Sequence, residues 1–287
     1  MKRIISILIV MTLVLTFGAG NAFAAGEGEE APQEIELGYV NWEGEIAATY
    51  VAAVLLEEMG YDVQTTDVDA APMWTGVGAG DLDAHLAGWL PVTHEAYLNE
   101  VEGQVEELGG PLLEGARIGL MVPTYVDIDS IEELNEHADR FNNDIVGIEP
   151  GAGIMSATEE ALDVYDLDDM TLVESSDAAM QSALADAYDR EEWIVVTGWT
   201  PHPKEGRHDL KYLEDPEGVF GEVEFVQGYA RQGLQEEMPE AFELLSNFYW
   251  EVEDFAELME WNAEGDPYEN AQRWVEENRD LVETWMP

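Results

Sequence analysis

Three tryptophans lie where predicted β-strands end, and their type and placement suit a binding site. Trp42, Trp89 and Trp199 each follow a short apolar run that is typical of a strand. In open α/β sheets, ligands bind beyond the carboxyl ends of the strands. A single tryptophan is most often a packing residue, because the side chain is large and mostly apolar. Three unlike segments that each end in an indole therefore predict a shared site.

A group of indole faces suits a quaternary ammonium ligand. The trimethylammonium head of such a ligand carries a positive charge but offers no hydrogen-bond donor. The quadrupole of an indole attracts it, and each desolvated contact contributes about 2 kcal/mol. A carboxylate would attract sodium and potassium equally, whereas aromatic walls exclude small hydrated ions by shape.

Two further segments predict recognition of a carboxylate. The turn at residues 150–154 (PGAGI) joins a predicted strand to a predicted helix. The glycines let the backbone come close to a ligand, and free N–H groups at the start of a helix form an anion site. The turn lacks the lysine and hydroxyl of a phosphate loop, which argues against a nucleotide. His202, in a loop stiffened by prolines, could donate to the same carboxylate. An ordinary αβ turn and a surface histidine are the plainer alternatives.

Metal and catalytic sites are not indicated by any motif. The other histidines show no paired ligand spacing, and they are His85, His94, His137 and His208. The chain contains no cysteine and no G-x-S-x-G elbow. Acidic pairs occur throughout the chain and so identify no site. We expect no cofactor, no metal and no catalysis.

The elements that must position these residues alternate between strand and helix. Strands are predicted at 35–40, 63–68, 84–88, 117–122, 145–148, 172–174 and 194–197. Helices are predicted at 46–59, 74–79 and 178–188. Two more are predicted, one that begins at the capping box at Ser130 and one that runs from the glycine-rich turn to about Tyr165. The C-terminal third is predicted to be mostly helical. This alternation predicts open α/β sheets in two lobes with a cleft between them.

The N-terminus has the pattern of a signal peptide. Lys2 and Arg3 precede an apolar run, and an A-x-A site ends at Ala24, so residues 1–24 are expected to be removed. Residues 25–33 (AGEGEEAPQ) are expected to form a disordered acidic leader. Because the chain has no cysteine to carry a lipid, we expect free protein retained in a periplasm.

The charge of the chain is strongly negative. It has 63 acidic and 11 basic residues, for a formal net charge of −52. Loss of residues 1–24 removes Lys2 and Arg3 and no acid, which brings the charge to −54. Nucleic acid and anionic lipid would be repelled. Molar salt shortens the Debye length to about 3 Å, so a hypersaline habitat is our hypothesis for this composition.

Six segments carry a family resemblance. They are 38–42 (GYVNW), 80–84 (GDLDA), 87–91 (AGWLP), 146–153 (VGIEPGAG), 195–202 (VVTGWTPH) and 209–216 (DLKYLEDP). In their order and spacing, over about residues 35–260, the chain resembles the glycine betaine-binding subunits of osmoprotectant ABC importers. Many relatives are lipid-anchored or fused to the membrane subunit, and this sequence shows neither device. It also has Pro203 where an aromatic residue is common in the family.

The resemblance implies a type II-like periplasmic binding protein, monomeric and not an enzyme, that delivers glycine betaine to a membrane permease. Residues 34–122 and 225–287 would form lobe 1, and residues 123–224 would form lobe 2. Trp42, Trp89 and Trp199 would form the ammonium cage. His202 and the backbone at Ala152, Gly153 and Ile154 would hold the carboxylate.

Three groups of alternatives stay open. Choline, carnitine or proline betaine could be the ligand, although choline has no carboxylate for the 150–154 turn. An exported hydrolase with a carboxylate pair lacks a motif in this sequence. A tryptophan-rich sugar-binding module would need more polar side chains beside the indoles than these segments offer.

Overall fold

The computed structural model describes residues 32–287, apart from the side chain of Glu253. The predicted signal peptide and most of the predicted leader lie outside these residues. Within the described chain, no helix has the length and apolar composition needed to cross a bilayer.

Strands and helices alternate along the described residues, as the sequence predicts. The strands are β1 (Glu34–Tyr39), β2 (Asp62–Asp67), β3 (Ala84–Leu90), β4 (Val105–Pro123), β5 (Asp144–Val146), β6 (Thr171–Val173), β7 (Val196–Thr200), β8 (Leu210–Tyr212) and β9 (Glu224–Arg231). The helices are α1 (Glu43–Glu58), α2 (Ala70–Ala79), α3 (Glu95–Glu100), α4 (Gly153–Val164), α5 (Asp177–Asp189), α6 (Lys204–Arg207), α7 (Leu234–Glu237), α8 (Pro239–Asn247), α9 (Val252–Asn262), α10 (Pro267–Glu277) and α11 (Arg279–Val282).

The strands form one sheet in the order β2-β1-β3-β9-β4-β7-β5-β6, with β8 also paired to β4. Strand β4 links the two parts of this sheet. Its first residues, up to Ala116, pair with β9, and Arg117 onwards pair with β7 and β8. The sheet is therefore of mixed direction, with parallel pairs at both outer ends and antiparallel pairs around β4.

The directions of the strands determine where a site can form. Strand β3 is antiparallel to β9, and β9 is antiparallel to β4, so β3 runs in the direction of β4. Strand β7 is antiparallel to the second part of β4. The carboxyl ends of β3 and β7 therefore both point toward Ala116 and Arg117, where β4 changes partners. This is the arrangement in which strand ends from two parts of a sheet can share one cleft.

Several elements differ from the sequence predictions. Strands β8 and β9 lie in a region predicted to be mostly helical, and neither α3 nor the first part of β4 was predicted. The periodicity of β4 is interrupted near Gly109, whose φ is +57° and whose Cα lies against the backbone of Ser246. The capping box at Ser130 is present, but it opens a 3₁₀ helix (Ile131–Glu133), with a second at Asn135–Phe141.

The C-terminal helices bury a tryptophan cluster against α1 and the sheet. Trp250, Trp274 and Trp285 are at most 2% exposed, and the Trp250 and Trp274 ring centroids are 4.8 Å apart. These side chains are packing residues, as the sequence predicts. Burial of this kind stabilises the fold without disulfides.

Candidate functional site

Six of the seven predicted site residues line one cavity. Trp42, Trp89 and Trp199 lie around it, together with Ala152, Gly153 and Ile154. The empty space of the cavity is about 610 Å³, including the space open to solvent. Most of its other walls are apolar, for example Leu112, Ile118, Val226 and Phe255.

The three indoles reach the cavity from different strands. Trp42 precedes the first residue of α1, directly after β1, and is 8% exposed. Trp89 and Trp199 are the last residues but one of β3 and β7, so they lie inside these strands rather than after them. In the sheet, Trp89 pairs with Val226 and Trp199 pairs with Ile118. The converging carboxyl ends of the strands bring the three rings together.

The amino end of α4 supplies backbone donors. The helix begins at Gly153, and the N–H groups of a first helical turn have no acceptor within the helix. A Cβ on Gly153 would lie only 2.3 Å from the carbonyl oxygen of Thr93. Glycine is therefore required here, because the loop after β3 closes tightly over the start of α4.

Further contacts bridge the cleft. The indole Nε1–H of Trp42 donates to Glu149, and the hydroxyl of Tyr97 donates to the carbonyl of Gly151. Both contacts join residues before β4 to the segment that leads into α4.

His202, the seventh predicted residue, does not line the cavity. Its Nε2 lies 3.2 Å from both carboxylate oxygens of Asp177, and its Nδ1 accepts from the N–H of Lys204 at 3.0 Å. Because Nδ1 is an acceptor, the neutral ring carries its proton on Nε2 and donates it to Asp177. Burial lowers the pKa of His202 to about 4, which favours this neutral form.

His202 instead packs behind Trp199, which lines the cavity. Its ring lies edge-on to Trp199, with centroids 4.6 Å apart. The Nζ of Lys204 lies 3.8 Å from the centroid of the same indole and is fully buried. Burial lowers the pKa of this ammonium to about 7. The role of His202 in binding a carboxylate stays a prediction, and both of its ring nitrogens are already bonded in this structure.

His94 is a candidate that the sequence reasoning missed. It lines the cavity and is fully buried. Its Nδ1 accepts from the N–H of Trp89 at 3.2 Å, whereas its Nε2 has no partner among the described residues. Burial lowers the pKa of His94 to about 3, so the ring is neutral at pH 7. A neutral ring with Nδ1 as acceptor carries its proton on Nε2, which makes this atom a free donor.

A buried carboxylate holds the loop that carries His94. Glu224 is 2% exposed and accepts from the N–H groups of Val92 and Thr93, at 2.9 and 2.8 Å. The sequence held a signal for this loop. A tryptophan, a proline two residues later and a following histidine occur both at 89–94 and at 199–202.

Glu45 is the second residue that the sequence did not single out. It lies in the first turn of α1, is 5% exposed and lines the cavity. One carboxyl oxygen accepts from the N–H of Val40 at 2.6 Å, and the other has no partner among the described residues. Burial raises the pKa of Glu45 well above its ordinary value. Across residues 32–287, no group of His, Asp or Glu side chains is arranged to hold a metal ion.

Comparison with known proteins identifies the family of the chain. The family model for the substrate-binding domain of ABC-type glycine betaine transport systems matches residues 33–277. A glycine betaine/carnitine transport binding protein of Listeria monocytogenes is 44% identical over 165 residues, which is 56% of this chain and 54% of that protein. The match thus spans about half the length of this relative.

Two crystal structures have the same fold over nearly their whole length. One is a glycine betaine, L-proline ABC transporter binding protein of Borrelia burgdorferi. It has a TM-score of 0.86 and 37% identity, and the match covers 89% of this chain and 97% of that one. The other is a lactococcal protein in its closed form with glycine betaine. It has a TM-score of 0.84 and 39% identity, and the match covers 89% of this chain and 100% of that one. These neighbours are type II periplasmic binding proteins, as the sequence predicts. The family is a transport family and not an enzyme family. The chain therefore belongs to the family of substrate-binding domains of ABC-type glycine betaine transport systems.

Proposed function

We propose that the cavity binds glycine betaine, and that the protein delivers it to the permease of an ABC importer. The observation that carries this proposal is the single cavity shared by Trp42, Trp89 and Trp199 and by the amino end of α4. The indoles supply faces for a trimethylammonium group. The helix start supplies donors for a carboxylate.

The carboxylate is held by the N–H groups of Gly153 and Ile154 and by Nε2 of His94. This assignment is supported by the free Nε2 of a neutral, buried ring that lines the cavity. Ala152 contributes the turn before the helix. His202 acts from behind Trp199, where its contact with Asp177 keeps the ring and the indole in place.

The family and the sequence support a wider role for the protein. The protein acts outside the cytoplasm, in a periplasm, after loss of residues 1–24. It works as a monomer and catalyses nothing. Residues 34–122 and 225–287 form one lobe and residues 123–224 the other, and the chain crosses between them in β4 and at the start of β9. Ligand binding favours the closed state of these lobes over the open one.

Isothermal titration calorimetry against a panel tests this function. The panel contains glycine betaine, proline betaine, carnitine, choline and a disaccharide. We expect glycine betaine to bind most tightly, choline more weakly, and the disaccharide not at all. If carnitine or proline betaine bound more tightly than glycine betaine, the proposed ligand would change but its chemical class would stay the same. Binding of the disaccharide alone would refute the ammonium cage.

A further inference from the structure

The cavity holds one ionisable acid, Glu45, whose environment differs from that of the other acidic residues. It comes from the amino end of α1, and its Oε2 accepts from the N–H of Val40. Its Oε1 is buried, has no partner within the described residues, and belongs to a side chain that lines the cavity. A buried carboxylate with an unpaired oxygen is unfavourable unless it is protonated or meets a cation.

The protonated form has a defined geometry. Since Oε2 accepts a backbone N–H, the proton of the neutral acid resides on Oε1. Burial, with a further contribution from the nearby charge of Glu149, favours this neutral acid. His94 is neutral as well. The free cavity is therefore lined by uncharged groups whenever Glu45 keeps its proton.

The net charge of the ligand then decides what Glu45 must do. Glycine betaine is a zwitterion, so its entry leaves the charge of a neutral cavity unchanged. Choline is a cation with no carboxylate, so its entry leaves an uncompensated buried charge. We propose, on the basis of the function proposed above, that Glu45 decides between zwitterionic and cationic quaternary-ammonium ligands. It keeps its proton when glycine betaine binds and gives its proton to solvent when choline binds.

The proton balance predicts opposite pH behaviour for the two ligands. Choline binding releases one proton from Oε1, so its affinity rises with pH, by up to about tenfold per pH unit, until Glu45 is ionised in the free protein. Glycine betaine binding releases none, so its affinity stays flat. Other groups that titrate near the cavity are Glu43, Glu149, Asp177, His202 and Lys204. Their charges act more on a net cation than on a zwitterion, so the Glu45→Gln variant, which changes only this acid, isolates its contribution to the pH dependence.

The experiment measures both affinities by calorimetry from pH 5 to pH 8, in paired buffers of different ionisation enthalpy. We expect close to one proton released with choline at low pH and close to none with glycine betaine. In Glu45→Gln, choline should bind at least about tenfold more weakly at pH 8 and lose its pH dependence. Glycine betaine affinity should fall less than choline affinity, and a cooperative thermal unfolding transition shows that the variant is folded.

Glu43→Gln is the matched control, since Glu43 lies in the same turn of α1 but does not line the cavity. It should keep the pH dependence of choline. Equal losses for both ligands in Glu45→Gln, parallel pH profiles, or no choline binding even at pH 8 would each overturn the role of Glu45. In all three cases glycine betaine still binds to the wild type, so the proposed function stands. Failure of the wild type to bind either ligand refutes the proposed function, and the role of Glu45 with it.

Discussion

Replacement of His94 by alanine tests the carboxylate end of the site most directly. The Nε2 of His94 is a buried donor without a protein partner, and a ligand carboxylate would be its acceptor. A hydrogen bond to a charged group contributes about 1.5–3 kcal/mol. We therefore expect His94→Ala to weaken glycine betaine binding by roughly 10- to 150-fold. Choline offers no carboxylate, so its affinity should change much less.

His85 provides a matched control for this experiment. It is also buried, its Nδ1 accepts from the N–H of Ala87 at 3.2 Å, and its Nε2 has no partner in the described chain. It differs from His94 in that it does not line the cavity. His85→Ala should cost similar stability, because it also leaves a backbone N–H unpaired. It should leave the ratio of glycine betaine to choline affinity unchanged.

Calorimetry with both ligands, alongside thermal unfolding of each variant, provides the measurement. A fall of equal size for both ligands in His94→Ala would refute direct contact with the carboxylate. A larger selective loss in His202→Ala would return that role to His202, as the sequence analysis predicted. In that case the contact of His202 with Asp177 would have to break when the ligand binds.

Three further predictions concern the cage, the charge and the buried histidines. Alanine at Trp42, Trp89 or Trp199 should weaken glycine betaine by about 30-fold, from a contact of about 2 kcal/mol. Trp274→Ala should leave the affinity unchanged and lower the free energy of unfolding by about 3–5 kcal/mol. Equal affinity losses at all four positions would contradict the assignment of the other three tryptophans to the cage. The thermal midpoint should rise in molar salt, because screening relieves repulsion in a chain with 63 acidic residues, and a midpoint unaffected by salt would contradict the hypersaline hypothesis. Burial lowers the pKa of His85 to about 3, so between about pH 6.5 and pH 3 only the unfolded chain binds this proton. The free energy of unfolding therefore decreases as the pH is lowered through this range. His85→Phe should reduce that slope by about 1.4 kcal/mol per pH unit in denaturant titrations, and an unchanged slope would argue against a buried neutral ring.

Most of the local structure could be predicted because its signals are local. Helix α4 begins at Gly153, within the predicted turn, and α5 differs from its prediction by one residue at each end. Strand β9 could not be predicted in this way. It lies between β3 and β4, and its pairing partners are distant in sequence, so no local periodicity distinguishes it. The first part of β4 was missed because bulges between Leu108 and Leu113 interrupt its alternation.

The sequence by itself determined which residues could form the cage and the helix start, because an apolar strand followed by an indole or a glycine-rich turn is a local pattern. Only the tertiary structure decided which polar side chains face the ligand. His94 and His202 follow similar motifs, yet one ring has a free Nε2 in the cavity and the other is bonded to Asp177. Glu45 resembles the other acidic residues in the sequence. Its burial beside the cavity, which perturbs its ionisation, depends on how α1 packs against the rest of the fold.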